Sequence, residues 1–332
     1  MIKISEVAKA AGVSTATVSR ALSNPEAVKP STRERVLQAV EELDYRPNAL
    51  ARQLRTQETK TVVVIVPNLS NTLFTEAICG IEAEAEKHGF QVLAADVRNQ
   101  KNVERYYLNA VRERQIDGII SMSAAIAQKI LKEVAAEYPL VMAFQSFEDK
   151  RIPSVSIDNL AASRAVTTHL IRLGRRRIAH ITGAAPLTVY KERLEGYMST
   201  LAEHGLAADP DWIRRGEATV QGGYEQAEAL LAPGVRPDAV FCAGDTMAMG
   251  AIKALKKHGL RVPEDVAVVG FDDIEQAAFW DPALTTIRQP KQQIGETAFR
   301  KLYALIRKER LSSARDVLPY ELVIRESCGY FL

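Results

Sequence analysis

From residue 61 onward, short apolar runs alternate with amphipathic helical segments for more than 200 residues. This alternation limits the fold more than any other feature of the chain. The run Thr61-Val-Val-Val-Ile-Val66 is apolar without interruption, as expected of a strand buried on both faces of a parallel sheet. A helix is expected at about 74–87, stopped by Gly89, then a strand at 91–95, a helix at about 102–114, and strands at 118–121, 140–143 and 155–157. The second half repeats the rhythm, with helices at 160–173, 191–204, 221–231 and 246–258 before strands at 178–182, 212–214, 239–242 and 266–270. The pattern predicts a doubly wound α/β fold with enough strands for two lobes. A chain of 332 residues accommodates about two or three domains.

In such folds ligands bind at the carboxyl ends of strands, and between lobes in the cleft. Several side chains fall at those ends. Asn71, Leu73 and Phe74 follow the first strand, and Arg193 closes a loop over 183–193. Asp245 follows 239–242, and Phe271 and Asp272 follow 266–270. Arg193 and Asp272 are a forked donor and a forked acceptor, suited to gripping adjacent hydroxyls of a sugar or ribose. The alternative is a structural ion pair at a loop base. Phe74 and Phe271 have the form to stack on a ring, and core packing is the alternative for each.

The first 60 residues are of another kind. They carry ten basic and seven acidic residues, a net +3 against −1 for the rest, so the whole-chain charge of +2 conceals a basic head. Between Arg46 and Lys60 four cations face one anion, which suits an anionic partner or, alternatively, a solvated face. Ile4, Val7, Ala8 and Ala11 repeat at helical spacing up to Gly12. Ser14 is placed to cap a second helix, Thr15 to Leu22, which Asn24-Pro25 breaks. Ser31-Thr-Arg-Glu34 has the form of a capping box, and Val36, Leu37, Val40 and Leu43 continue as a third helix. Three helices with a short glycine-containing turn between the first two describe a helix-turn-helix unit. The second helix exposes Thr15, Ala16, Thr17, Ser19 and Arg20: small or polar groups that let a helix approach the major groove, and an arginine able to fork onto guanine. A three-helix bundle with no groove partner is the alternative. After Pro47, Asn48 is placed to cap a fourth helix of about eight residues with Leu50 and Leu54 on one edge, flanked by Arg52 and Arg55. Alone it is marginal in water, so it needs a partner to fold, unless it is a linker helix packed on its neighbours.

Other classes are disfavoured. Cys79, Cys242 and Cys328 are scattered with no CxxC pair, which speaks against a disulfide framework or zinc site and for a reduced, cytoplasmic setting. The opening residues lack the apolar core of a secretory signal, and no window is apolar enough to span a membrane. Phosphate-loop, nucleophile-elbow and dinucleotide glycine motifs are missing. The five histidines show no metal spacing and are read as surface or helix-end residues. The chain is therefore expected to have no catalytic function, no metal and no cofactor.

The run Ile4 to Arg20 resembles the helix-turn-helix signature of the LacI/GalR family of bacterial transcription regulators. Tyr45-Arg-Pro-Asn-Ala-Leu-Ala-Arg52 resembles that family's hinge, and Gly270-Phe-Asp-Asp273 and Pro282-Ala-Leu-Thr-Thr-Ile-Arg-Gln-Pro290 resemble its effector-domain motifs. Thr15 to Leu22, Ile157-Asp-Asn-Leu160 and Ala248-Met-Gly250 look closest to the cytidine- and purine-responsive repressors. The resemblance covers essentially the whole chain. It implies a helix-turn-helix domain over 1–46, a hinge over 47–60, and a periplasmic-binding-protein type I core over 61–332. The core's lobes would be about 61–160 with 291–322, and 161–290 with 323–332, crossed by three strands. It further implies a homodimer on pseudo-palindromic, double-stranded operator DNA and a small-molecule effector of the sugar or nucleoside class bound between the lobes, with a cytoplasmic or nucleoid-associated location.

The DNA-contacting residues implied are Ser14, Thr15, Ala16, Thr17, Ser19, Arg20 and Asn24 in the head, with Asn48, Leu54 and Arg55 in the hinge. Thr15, Ala16 and Arg20 match base-reading positions, and Leu54 matches the leucine that wedges into the minor groove. The effector-contacting residues implied are Asn71, Leu73, Phe74, Arg193, Asp245, Phe271, Asp272 and Gln289. The chain departs from the family in three places. Asn71-Thr-Leu-Phe74 lacks one of two expected aromatics, Leu187 and Val189 replace polar residues of the purine type, and no leucine-heptad tail follows Cys328. Two other functions remain open at this level: a regulator controlled by a phosphorylated carrier protein, and a solute-binding protein with no DNA role.

Overall fold

The computed structural model describes residues 2–45, 58–98, 100–123, 128–145, 151–231 and 236–330. The chain forms two compact units, Met1–Thr59 and Lys60–Leu332. The expected hinge helix, with Asn48, Leu54 and Arg55, lies outside the described residues.

The first unit contains the α-helices Ile4–Ala11, Thr15–Ser23 and Pro30–Glu42, with a single 3-10 turn at Pro25–Ala27. Gly12 ends the first helix at φ 65°, a left-handed conformation that glycine adopts without a Cβ penalty. Val7, Ala8, Ala11, Val18, Ala21, Val36 and Ala39 form the core, with Ile4, Leu22, Val40 and Leu43 packed at its margin. Two details differ from the expectation. The third helix begins at Pro30 with Lys29 as its extended N-cap and no side-chain cap bond, so Ser31 lies inside the helix and the capping box does not form. Proline at the first position has no N–H to satisfy and a φ already set for helix, which moves the start one residue upstream. Leu37 is 48% exposed, because Val36 holds the core-facing position and adjacent helix residues cannot share it.

The second unit is built on two parallel sheets. The first has six strands in the order Arg315–Leu318, Ser154–Ile157, Leu140–Ala143, Gly118–Ser121, Thr61–Val66, Gln91–Asp96. The second has four, in the order Ile213–Gly216, Ile178–Gly183, Ala239–Cys242, Ala267–Val269. A separate antiparallel pair joins Thr286–Arg288 to Glu321–Val323. Five of the first sheet's strands precede residue 158, whereas its edge strand Arg315–Leu318 returns from near the end of the chain. Helix Lys291–Ile306 also returns to this lobe and packs on helix Thr72–Lys87. The two touch backbone to backbone: a Cβ at Gly80 would run into the carbonyl oxygen of Gln292, and one at Gly295 into that of Ala77.

The expected alternation is present, with sharper boundaries. Helix Gln128–Glu137 was not anticipated, because its apolar residues Ile130, Leu131 and Val134 mark only two turns. Helix Thr188–Glu203 starts three residues before the expected 191. Arg193 therefore stands in the second turn of this helix, past the end of the loop that follows Gly183.

Candidate functional site

In the first unit, the Ser14 hydroxyl accepts the backbone N–H of Thr17 at 3.1 Å and pairs with the Thr17 hydroxyl at 2.9 Å. These two polar groups therefore hold the start of helix Thr15–Ser23. Thr15, Ala16 and Arg20 are exposed, Thr17 and Ser19 partly so, and Asn24 is the exposed C-cap. Arg20 has no ion pair among the described residues. Val18 and Ala21, on the opposite side of this helix, are buried in the core. The result is a short helix anchored by its apolar side, with a small-residue, single-arginine face toward solvent.

In the second unit, Arg193, Phe271, Asp272 and Gln289 meet in one cluster. Arg193 is 5% exposed and Asp272 6%. The Arg193 guanidinium carbon lies 3.6 Å from the centroid of the Phe271 ring. Its Nε donates to Asn159 Oδ1 at 3.0 Å and its Nη1 to the Ala243 carbonyl at 2.6 Å. Nη2 faces Asp272 Oδ1 at 3.6 Å, an ion pair too long for a hydrogen bond. Gln289 Nε2 donates to the same Asp272 oxygen at 2.7 Å. Burial pushes the Asp272 carboxyl above its ordinary range, while Arg193 and the Gln289 amide pull it down. Phe271 has one face covered by Arg193, so its expected role as a ring-stacking wall is replaced by cation–π support of the arginine.

Asp245 belongs to the same region as a brace. Its backbone N–H donates to the Phe271 carbonyl at 2.8 Å. Its carboxylate accepts Ile274 N–H at 2.9 Å and the Thr286 hydroxyl at 2.6 Å. Burial and the neighbouring Asp272 raise its pKa well above the usual carboxylate range. The turn it supports carries two consecutive non-glycine residues in left-handed conformations, Asp272 at φ 111° and Asp273 at φ 51°. Such conformations cost on the order of 1–3 kcal/mol each and persist only where surrounding bonds over-determine them. Here Asp272 N–H donates to the Ile287 carbonyl at 2.9 Å, and Asp273 is held by Arg288 at 2.6 Å and Arg325 at 2.7 Å.

Asn71, Leu73 and Phe74 are not part of this cluster. The Asn71 side chain accepts Leu73 N–H at 3.1 Å and caps helix Thr72–Lys87. Leu73 and Phe74 are buried in apolar core, Phe74 edge-on to Phe144 with centroids 5.8 Å apart. Phe144 occupies a left-handed conformation at φ 63°, just past strand Leu140–Ala143. Asn159 and Tyr190 do reach the Arg193 region, although sequence reasoning passed over them. The signal for Asn159 lay in Ile157-Asp-Asn-Leu160, and Tyr190 precedes Arg193 by three residues, one helical turn. His180, read as a surface or helix-end residue, is instead fully buried in strand Ile178–Gly183.

A cavity of about 750 Å³ opens beside Asp273, lined among others by Phe279, Arg288, Lys291, Arg300 and Arg325; neither Arg193 nor Asp272 lines it. Its cations are already committed: Arg288 and Arg325 to Asp273, Lys291 to Glu76 at 2.8 Å, and Arg300 to Glu84 at 3.8 Å. No group of three or more candidate metal ligands, and no helix long and apolar enough to cross a membrane, occurs among the described residues.

Residues 3–48 match the family model of bacterial regulatory proteins, lacI family, and residues 59–326 match that of periplasmic binding proteins and sugar binding domain of LacI family. The chain is 38% identical over 323 residues to the HTH-type transcriptional repressor CytR of Escherichia coli (strain K12), covering 97% of this chain and 95% of the relative. Among solved structures, a lac repressor dimer bound to operator and the anti-inducer ONPF superposes with a TM-score of 0.87 at 28% identity, covering 98% of this chain and 99% of that one. A complex of the transcriptional regulator CelR with cellobiose gives a TM-score of 0.75 at 32% identity, covering 98% and 100%. These relatives are transcription regulators and not enzymes. With three helices among the described residues of its head, two parallel sheets in its core and both family models in order along it, the chain belongs to the LacI family of bacterial transcription regulators.

Proposed function

We propose that this chain is a cytoplasmic, homodimeric transcriptional repressor that binds a pseudo-palindromic operator and is controlled by a small sugar or nucleoside held between its lobes. The observation that carries the reading is the exposed face of helix Thr15–Ser23, small and polar with a single arginine, on a head belonging to the regulator family. Thr15, Ala16 and Arg20 read base edges in the major groove, and Ser14, Thr17, Ser19 and Asn24 support phosphate contacts. Asn48, Leu54 and Arg55 belong to a hinge that folds on DNA, with Leu54 inserted into the minor groove. In the core, Arg193, Asp272 and Gln289 grip the effector, and Asp245 and Phe271 hold them in place. Asn71, Leu73 and Phe74 shape the opposite side of the cleft.

The test is fluorescence anisotropy of purified full-length protein on DNA from its own upstream region, with and without effector. Specific binding of a dimer should weaken steeply as salt rises, because neutralised phosphates release counterions. Absence of any specific site in its genome would end the repressor reading. An effector that changes operator affinity establishes control by a small molecule, and the sign of the change distinguishes inducer from corepressor.

A further inference from the structure

The polar atoms around Arg193 are unevenly committed. The arginine gives Nε to Asn159 and Nη1 to the Ala243 carbonyl, and its plane rests on Phe271. Two of its five N–H groups are thereby committed, and Nη2 faces Asp272 at 3.6 Å. Asp245 is spent on Ile274 and Thr286. Gln289 is spent on Asp272.

Tyr190 is the contrary case. It stands three residues before Arg193 in helix Thr188–Glu203, so the two side chains leave the same face. Its ring is seated on Gly183, where any Cβ would run into the ring carbons. Gly183 is the last residue of strand Ile178–Gly183, at the carboxyl edge of the sheet where ligands of this fold class bind. Burial raises the phenol's pKa, and the charges of Arg193, Asp272 and Glu217 all act on it. The side chain is nevertheless only partly buried, and no described group hydrogen-bonds its hydroxyl. Tyrosines in such half-dry sites normally find a partner for the hydroxyl, and here the protein supplies none. The charges that act on it are one cation, Arg193, against two carboxylates, Asp272 and Glu217. They leave no surplus of positive charge for an added anion.

We propose that Tyr190 is a specificity-determining contact of the effector cleft, its ring forming the wall over Gly183 and its hydroxyl bonding a neutral, polyhydroxylated ligand beside Asp272. This rests on the effector-cleft reading above. Calorimetry on the full-length protein with cytidine, adenosine and cellobiose as neutral probes, and cytidine 5′-monophosphate as the charged counterpart, tests it. A neutral probe should bind the wild type. Tyr190→Phe should weaken that binding roughly 2- to 13-fold, the effect of one lost hydrogen bond, without lowering the melting temperature of the unliganded protein. Gly183→Ala, which unseats the ring, should weaken it further. Equal affinity in Tyr190→Phe overturns the role of Tyr190, and if Asp272→Ala still abolishes binding, the effector-cleft reading survives that failure. Wild-type affinity in Asp272→Ala overturns the cleft reading itself. Binding of the monophosphate more tightly than cytidine, or failure of every neutral probe with the wild type, overturns the ligand class.

Discussion

His180 lies in the middle of strand Ile178–Gly183 with no exposed surface. Its Nδ1 is 3.0 Å from the Phe241 carbonyl, which only accepts, so Nδ1 carries the proton and Nε2 is left as a buried lone pair with no partner among the described residues. Protonating Nε2 would place an unpaired charge between Tyr197 and Phe241, and burial accordingly lowers the pKa to about 3. The unfolded chain takes up this proton near pH 6.5. Below that pH the unfolded state binds more protons, so stability falls as pH drops from about 6.5 toward 3, by up to about 1.4 kcal/mol per pH unit. Denaturant titrations of His180→Asn should show a shallower acid limb than wild type, and an unchanged slope would refute this origin. Single residues also mark where sequence reasoning stops. The pairing of Arg193 with Asp272 was legible because a forked donor and a forked acceptor at strand ends suit either a ligand grip or a structural ion pair. Tyr190 and Asn159 were not, since a tyrosine near a helix start and an asparagine after a strand are ordinary until a fold brings them beside an arginine. His180 was misread because a lone histidine in Ala-His-Ile gives no sign that the strand is covered on both faces.

Helix ends and helix contacts separate the roles of neighbouring residues. Ser14 caps helix Thr15–Ser23 through Thr17 N–H, so Ser14→Ala should cost about 1 kcal/mol of head stability in thermal unfolding. Arg20→Ala touches no ion pair among the described residues and should leave that stability within about 0.5 kcal/mol. In anisotropy it should instead cost about 1–3 kcal/mol of operator affinity and relax specificity at one base pair. A loss of stability without loss of specificity would make Arg20 structural. Deeper in the core, Gly295→Ala inserts a methyl between helix Lys291–Ile306 and the Ala77 carbonyl. It should destabilise the core by about 1–3 kcal/mol in chemical denaturation, since neither backbone has room to give. The Ser14 cap was readable because Gly12 and Ser14 both punctuate one short stretch. The box at Ser31 misled because Pro30, immediately before it, competes for the same helix start.

At the scale of the molecule, the basic head and the larger core fall in two compact units, Met1–Thr59 and Lys60–Leu332. Under the proposed function the two are linked thermodynamically: whatever factor an effector applies to operator affinity, operator must apply to effector affinity. Effector titrations with and without saturating operator should therefore give a ratio of dissociation constants equal to that from operator titrations with and without effector. Unequal ratios would mean a third component, such as dissociation of the dimer. The α/β alternation was legible because buried strands are apolar throughout. Strand Arg315–Leu318 was not, since Arg315 and Asp316 break that pattern at the sheet's edge, where one side needs no covering. That late strand gives the first lobe an order in time. Five of its strands emerge from the ribosome before residue 158, yet the edge strand beside Ser154–Ile157, and the helix whose Gly295 packs on the Ala77 carbonyl of Thr72–Lys87, arrive only after the whole second sheet has been made. During synthesis the earlier part of the lobe therefore waits, with an open strand edge and an uncovered helix, for about the last eighth of the chain to complete it.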